Sequence, residues 1–188
     1  KRKENTMKAV IIYYSYSGNT KKIAEMVQRE TGFSAAELRT VVPYSENYDV
    51  VVDQGQDEVK RGFMPEILPL EVNPEEYDTV FLGMPVWWYT YAPAVKTFLA
   101  QYKLAGKTIL PFATNGGWIG HTAKDIKGAC PDSDIGEILN VRFDGARLVT
   151  PEKRILEWII LICTNGLFRL SWHSLGLCCI IVEINNKS

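Results

Sequence analysis

The chain has 188 residues, 46% of them hydrophobic and 23% charged, with a formal net charge of −1 at pH 7. These values are ordinary for one globular domain with a sizeable core, and the near-neutral charge argues against nucleic acid or another polyanion as a partner. The four cysteines form no CxxC pair and no zinc-type spacing with histidine, so we expect reduced thiols, no metal site and a cytoplasmic location.

The beginning of the chain, "KRKENTMKAV", is basic but lacks the apolar stretch of a signal peptide. We therefore expect residues 1–6 to be a flexible extension, with Met7 as the natural start. The rest of the sequence contains no internal repeat, low-complexity segment or sign of a second domain.

Apolar runs and helix-like stretches alternate along the chain. The run "KAVIIYY" lacks polar alternation, which is typical of a strand buried on both faces of a parallel sheet. Residues 20–30 then place Ile23, Met26 and Val27 at helical spacing before Gly32. The later predicted elements are a strand within 33–42, a helix at 49–61 ending at Gly62, a strand at 79–83, a helix from Pro93, a strand at 107–114, a short helix after "NGGWIG", a strand within 136–145 and a last helix from Pro151 with Thr150 as N-cap.

This alternation predicts an α/β fold in which a parallel sheet is covered by helices on both faces. Right-handed crossovers bring ligands to the carboxyl ends of the strands in such folds. Three loops are predicted at that edge, at residues 15–20, 85–91 and 114–120.

The first of these loops, "SYSGNT", has the composition of a phosphate site. It precedes a helix, whose first backbone N–H groups and positive dipole end attract anions. Gly18 lets the backbone approach a ligand closely, and hydroxyl groups come from Ser15, Ser17 and Thr20. The loop matches neither GxxxxGK[ST] nor GxGxxG. Simple capping of the helix by serine and threonine is the competing interpretation.

This loop resembles the FMN phosphate loop of flavodoxins, [ST]-x-[ST]-G-x-T. The stretches "GMPVWWYTYAPAVKTFL" and "FATNGGW" are similar to the two loops that border the flavin ring in flavodoxin-like proteins, and "PYSENYD" and "YDTVFLGMPVWW" also look like that group. The resemblance covers residues 7–158. It implies a flavodoxin-like three-layer sandwich, with a five-stranded parallel sheet, helices on both faces and FMN at the carboxyl edge.

The resemblance also implies which residues contact the cofactor. The residues implied at the phosphate are Ser15, Tyr16, Ser17, Gly18, Asn19 and Thr20. The residues implied on the two sides of the ring are Pro85, Val86, Trp87, Trp88 and Tyr89, and then Thr114, Asn115, Gly116, Gly117 and Trp118. Aromatic side chains stack on a flat flavin, and backbone N–H groups of the third loop can reach its pyrimidine oxygens. Which of Trp87, Trp88 and Trp118 faces the flavin stays open, and core packing or a partner interface is the alternative for the aromatics of the second loop.

Three functions remain in view. The first is an electron carrier that docks briefly with a redox partner protein. The second is an FMN-dependent NAD(P)H oxidoreductase acting on quinones or similar acceptors, in which the hydride chemistry belongs to the flavin. The third is a non-redox FMN-binding module or a structural module, for which failure to bind flavin would be the discriminator. We favour a flavodoxin-type redox protein over a dedicated enzyme, and we assign no catalytic residue.

Two features blur the choice between carrier and enzyme. Carriers of this family are typically strongly acidic, whereas this chain is nearly neutral. The loop "MPVWWYTYAP" also has no glycine after Gly83 whose peptide could flip toward the reduced flavin. His121, beside the third loop, is interpreted either as a proton donor or as a solvent-facing residue at a helix start.

Residues 159–188 form an atypical apolar tail beyond the resemblance. Across 159–182 the only residue charged at neutral pH is Arg169. Length and apolarity would admit a membrane span, but Arg169, His173 and the "TNG" turn interrupt it and argue against one. Three interpretations stay open: an extra hairpin or helix packed on the domain or on another subunit, a terminus altered by a changed reading frame, and membrane association. The apolar tail makes a homo-oligomer an expectation.

Overall fold

The structure is a computed structural model that describes residues 8–163. Its strands are β1 Ala9–Tyr14, β2 Ser34–Leu38, β3 Thr79–Trp87, β4 Thr90–Tyr91, β5 Thr108–Asn115, β6 Asp134–Ile135, β7 Leu139–Asp144 and β8 Arg147–Leu148. Its helices are α1 Asn19–Thr31, α2 Tyr48–Arg61, α3 Pro93–Gln101, α4 Thr122–Ala129 and α5 Glu152–Ile162, with a 3₁₀ turn at Pro74–Glu76. The predicted extension and the tail from residue 164 onward lie outside the described residues.

The longer strands form a parallel sheet in the order β2-β1-β3-β5-β7. Helices α1 and α5 cover one face, where Ile23 and Ile155 share a buried cluster. Helices α3 and α4 cover the other face, with Phe98 and Ile126 in its cluster. This confirms the predicted five-stranded parallel sheet between two helical layers. The two-residue strands are additions to it: β6 pairs parallel with β5, and β4 and β8 pair antiparallel with β3 and β7.

Strand β3 is longer than predicted. The sequence placed a strand at 79–83 followed by a loop, because glycine and proline in "GMPVWW" are typical of loops. In the structure Pro85 still lies in register with Thr114 of β5, and the strand continues to Trp87 by pairing with β4. The second predicted loop therefore begins as a strand and ends as a tight hairpin.

The predicted cap of the last helix is wrong. The Thr150 hydroxyl accepts a hydrogen bond from the Arg142 backbone N–H at 2.7 Å, so it stabilises the turn after β7 instead. Pro151 occupies the N-cap position of α5. This helix runs into the predicted tail and buries Ile159 and Ile162. The division between domain and tail at residue 158 stays a prediction.

The fold buries or partly buries three tyrosine side chains whose phenol groups are hard to ionise. Burial raises the pKa of Tyr13 to about 12, and the nearby Glu37 carboxylate adds to the shift. Burial likewise raises the pKa of Tyr14 and Tyr44, and the Glu58 carboxylate acts in the same direction on both. The folded chain therefore favours the protonated form of each of these tyrosines more strongly than the unfolded chain does.

We expect the free energy of unfolding to fall as the pH rises above 10.0, the ordinary pKa at which these phenols ionise in the unfolded chain. The folded chain keeps them protonated, so the stabilisation is complete below that pH and is lost as the pH rises through the folded values. The expected slope is about 1.4 kcal/mol per pH unit for each such tyrosine. Urea unfolding across this alkaline range measures it, and Tyr13→Phe should remove one tyrosine's share. A stability that stays constant across that range contradicts the prediction.

Candidate functional site

The first loop joins β1 to α1 with a left-handed glycine at the helix start. Gly18 is the N-cap residue and has a φ of 87°. As a glycine it has no side chain that could cap the helix. The Lys22 N–H donates to the Gly18 carbonyl at 3.0 Å, and the Lys21 N–H donates to Ser15 Oγ at 3.2 Å. The amides of Asn19 and Thr20 precede these donors and have no earlier helical carbonyl to bind. The start of α1 thus leaves the N–H groups of Asn19 and Thr20 available to an anion.

Asn19 has a buried acceptor that lacks a donor. Its Nδ2 donates to the Gly145 carbonyl at 2.9 Å, which fixes the side-chain amide against the β7–β8 turn. Its Oδ1 is buried and has no hydrogen-bond partner among the described residues. A buried polar atom of this kind is destabilising unless a ligand or water satisfies it. A ligand that carries hydroxyl groups fits this position.

Thr20 ties the first loop to the third. It is only 1% exposed, and its hydroxyl shares a 2.7 Å hydrogen bond with the Thr114 hydroxyl at the end of β5. The Thr20 side chain is therefore engaged inside the protein, and its backbone N–H is the group that faces the loop. This bond fixes the carboxyl ends of β1 and β5 relative to each other across β3.

The second loop is a strained two-residue hairpin. Trp87 pairs with Thr90, and the residues between them, Trp88 and Tyr89, have φ values of 46° and 70°. Two positive φ values in a two-residue hairpin are the pattern of a type I′ turn, which strongly prefers asparagine and glycine. Bulky residues held in this region store about 1–3 kcal/mol each, and such strain clusters at functional sites.

We expect Tyr89→Asn to raise the free energy of unfolding by about 1 kcal/mol, because asparagine adopts the left-handed region more readily. Tyr89 is 50% exposed, so the ring contact that is lost offsets only part of the gain. Tyr48→Asn is the matched control, since Tyr48 is 70% exposed in α2 and has no positive φ. Urea unfolding compares the two variants. Equal changes in both would contradict strain at Tyr89.

Three aromatics of the second loop point in different directions. The ring centroid of Trp87 lies 5.0 Å from that of Tyr44, and the Trp87 ring packs against Gly55 of α2. The Trp88 indole N–H donates to the Val52 carbonyl at 3.0 Å. Trp87 and Trp88 therefore fasten the hairpin to α2. Tyr89 remains exposed at the tip.

The third loop brings its own exposed aromatic to that tip. Trp118 is 64% exposed, and its ring centroid lies 4.9 Å from that of Tyr89. Gly120 packs directly on the Tyr89 backbone, and the His121 N–H donates to the Tyr89 carbonyl at 2.8 Å. Asn115 shapes the loop by accepting from the Gly117 N–H at 3.0 Å. The second and third loops thus form one continuous rim.

The sequence missed a polar array beside this rim. His121 Nδ1 lies 2.5 Å from Asp125 Oδ2, and the Thr90 hydroxyl donates to the same oxygen at 2.5 Å. The His121 ring remains exposed at the start of α4, which fits both interpretations given above. The i, i+4 spacing of His121 and Asp125 could have indicated the pair, but no sequence pattern connects Thr90 to it.

The structure brings all three predicted loops to the carboxyl edge of β1, β3 and β5. Thr20 and Thr114 join the first loop to the third, and Tyr89 and Trp118 join the second to the third. Among residues 8–163, no group of histidine, cysteine or acidic side chains is arranged to hold a metal ion. Across the same residues, no helix is both long and apolar enough to cross a membrane.

Comparison with known proteins agrees with this architecture. A family model described as Flavodoxin matches residues 8–151. A putative flavoprotein structure from Bacteroides eggerthii DSM 20697 is 29% identical, with a TM-score of 0.72 over 85% of this chain and 99% of that chain. One from Bacteroides uniformis ATCC 8492 is 22% identical, with a TM-score of 0.72 over 83% and 99%. A flavoprotein in complex with FMN from Lactobacillus acidophilus NCFM is 24% identical, with a TM-score of 0.63 over 72% and 93%. No curated protein sequence matches the chain.

Proposed function

We propose that this chain, which belongs to the flavodoxin family, transfers electrons through a non-covalently bound FMN. The observation that carries the proposal is the first loop, where the Asn19 and Thr20 N–H groups at the helix start adjoin Asn19 Oδ1, an atom with no hydrogen-bond partner within residues 8–163. An anion binds the first feature and a hydroxyl group satisfies the second, and FMN carries a phosphate and a polyhydroxylated ribityl chain. The FMN complex of the flavoprotein from Lactobacillus acidophilus, which has a similar fold, supports this assignment.

The chain's own residues have separate tasks in this proposal. The Asn19 and Thr20 amides and the Ser17 hydroxyl would hold the phosphate. Gly18 keeps the backbone close to it. The Thr20–Thr114 hydrogen bond holds the phosphate loop and the ring loops at a fixed separation. FMN supplies the redox chemistry, because no protein side chain here transfers hydride or single electrons as readily as a flavin.

The ring would lie against the rim formed by the second and third loops. The Tyr89 and Trp118 centroids are 4.9 Å apart, whereas a flat ring held between two others needs about 7 Å, twice the usual contact distance. The two rings would therefore not enclose a flavin between them, and Tyr89 and Trp118 would instead border it and exclude water from one side. Trp87 and Trp88 act behind the rim, by holding the hairpin on α2.

An FMN-dependent NAD(P)H oxidoreductase is the second candidate. It is favoured by the array of His121, Asp125 and Thr90 beside the rim, since a carboxylate that orients a histidine is a common arrangement for proton transfer. The array borders a cavity of about 580 Å³ between α2, α3 and α4, which has the size of a small-molecule site.

In the carrier the partner is a redox protein, and in the oxidoreductase it is NAD(P)H with a quinone-type acceptor. We propose a cytoplasmic location for either.

An anaerobic reduction distinguishes the two. The full-length protein is loaded with FMN, freed of excess flavin and mixed with NADH or NADPH while the flavin absorbance is followed. Rapid bleaching identifies an oxidoreductase. No bleaching by either nucleotide, with normal reduction by dithionite, identifies a carrier that needs a separate reductase. A His121→Gln variant that bleaches normally but turns over quinone more slowly would assign the proton transfer to His121.

A further inference from the structure

The cavity of about 580 Å³ between α2, α3 and α4 shares a wall with the rim. On that wall His121, Lys124 and Gly128 line the cavity at steps of three and four positions, so α4 turns one face toward it. The His121 N–H donates to the Tyr89 carbonyl of the hairpin, so the residue that borders the cavity also supports the rim. A ligand in the cavity would therefore lie beside the proposed flavin ring.

We propose that this cavity binds an aromatic carboxylate, which is the class of electron acceptor that the oxidoreductase candidate would reduce. The inference rests on the proposed function, because the flavin at the adjoining rim would supply the electrons. It adds the charge and the shape of the acceptor and the residues that recognise it.

Lys96 is the cation that a carboxylate would meet. It lines the cavity from α3, and it is the one residue of Pro93–Leu99 that is not buried. Its ammonium group donates to the Gly62 carbonyl at 3.0 Å and has no other hydrogen bond or ion pair within residues 8–163. An ammonium group has three donors, so donors remain for a ligand. A partly buried cation with unused donors favours an anion at this position.

Capping of α2 is the role that Lys96 would have without any ligand. The Gly62 carbonyl lies at the end of that helix, where a cation is favourable. Capping does not account for Lys124, which lines the same cavity from α4 and has no hydrogen bond or ion pair in the described part of the chain. Two ammonium groups thus line one cavity without an acidic partner of their own.

The lining also carries two carboxylates, so the preferred charge of a ligand depends on which groups are free to bind. Glu58 is 3% exposed and accepts from the Tyr44 hydroxyl at 2.6 Å and from Gln54 Nε2 at 2.8 Å. Asp125 belongs to the array described above, in which two side chains bind one of its oxygens. Protein groups therefore already bind both carboxylates, whereas the lysines keep unused donors. This difference favours an anion over a cation as the ligand.

The apolar part of the lining favours an aromatic ligand. Phe63 and Tyr91 both contribute rings, and Phe63 is 37% exposed. The Arg61 guanidinium lies 4.6 Å from the centroid of the Phe63 ring and holds that ring in place. Flat ligands pack well on aromatic side chains, and the cavity volume lies within the range of small-molecule sites.

The array at the edge of the cavity suits the reduction of a quinone that carries the carboxylate. The quinone gains a hydride from the reduced flavin and a proton from His121, which gives the hydroquinone and oxidised flavin. Asp125 orients the histidine for this transfer. Because the His121 ring is exposed, it can regain its proton from solvent.

The test compares two ligands that differ mainly in charge. 2-Naphthoate and 2-naphthamide have the same rings and nearly the same size, but only the first is an anion at pH 7. Each is titrated calorimetrically into full-length protein, both freed of flavin and loaded with FMN. We expect the naphthoate to bind at least about tenfold more tightly than the amide, because hydrogen bonds between charged groups are the stronger ones.

Lys96→Met should abolish this preference and leave the affinities for FMN and naphthamide unchanged. Because Lys96 also caps α2, Lys124→Met is a second variant that removes no contact within the described residues, and a loss of about threefold is expected from this exposed position. Lys127→Met is the matched control, since Lys127 is exposed on α4 but does not line the cavity.

The role as acceptor site is tested with FMN-loaded protein reduced by dithionite. Naphthoate should slow reoxidation of the flavin by 1,4-naphthoquinone, and this inhibition should weaken in Lys96→Met. Binding without inhibition overturns the assignment of the cavity to the acceptor. Equal affinities for naphthoate and naphthamide, or a preference that both lysine variants retain, overturn the inference while leaving the FMN proposal intact. If FMN itself fails to bind, the proposed function fails, and Lys96-dependent binding of naphthoate to the flavin-free protein still decides whether the cavity is a carboxylate site.

Discussion

Ser17→Asp is expected to weaken FMN binding by about 100-fold. Ser17 is exposed in the loop before α1, next to the proposed phosphate position, so aspartate would place a negative charge beside a dianion. Repulsion between such charges at a few ångströms near a protein surface amounts to about 3 kcal/mol, which corresponds to that loss. Fluorescence titration with FMN measures it.

Riboflavin separates the charge effect from general damage to the site. It has the same ring and ribityl chain as FMN but no phosphate, so its affinity should not change in Ser17→Asp. Ser34→Asp is the matched control, since Ser34 is also exposed but begins β2 at the opposite edge of the sheet. An equal loss of affinity for FMN and riboflavin, or an unchanged FMN affinity, would contradict the assignment of the phosphate to this loop.

Gly120→Ala is expected to destabilise the fold by about 2–3 kcal/mol and to weaken flavin binding at least tenfold. A Cβ at Gly120 would clash with the Tyr89 carbonyl oxygen, and the Gly120 φ of +62° is unfavourable for alanine. The third loop must therefore move away from the hairpin, which breaks the bond from the His121 N–H to the Tyr89 carbonyl. The rim formed by the second and third loops is then no longer continuous.

Gly117→Ala provides the control for this effect. Gly117 belongs to the same loop, but a Cβ there meets nothing within 4 Å in the described part of the chain. We expect its free energy of unfolding to stay within about 0.5 kcal/mol of the parent protein. Urea unfolding and FMN titration are applied to both variants. If the two alanines behave alike, the contact between the loops does not support the ring site.

Much of the fold was predictable because its signals are local. The uninterrupted apolar run before Ser15 indicated β1, and Gly32 and Gly62 ended α1 and α2 as predicted. Asn47, which caps α2 through bonds to two backbone N–H groups, is another local signal of this kind. Such features need no information from distant parts of the chain.

The errors came from contacts between distant residues. Pro85 looked like a loop residue until its register with Thr114 continued β3. Thr150 is a residue type that often caps helices, but its hydroxyl accepts a hydrogen bond from the Arg142 N–H on the preceding strand. The directions of Trp87 and Trp88 depend on α2, a helix more than 20 positions earlier in the sequence. Only the folded chain reveals these partners.

The same division applies to the site. The proposal of a phosphate loop rests on six consecutive residues, because a helix start carries its binding chemistry locally. The contact of Tyr89 with Trp118 and the bond between Thr20 and Thr114 each join separate elements of the fold. The individual residues were visible in the sequence, but their juxtaposition was not.

Retention of FMN tests the central claim most directly. The full-length protein is incubated with excess FMN, passed through a desalting column and analysed for flavin per chain, then reduced with dithionite and reoxidised in air. We predict about one FMN retained per chain, reduced and reoxidised reversibly. A protein that emerges without flavin, under conditions in which its fold is intact, would contradict the assignment of the first loop and the function built on it.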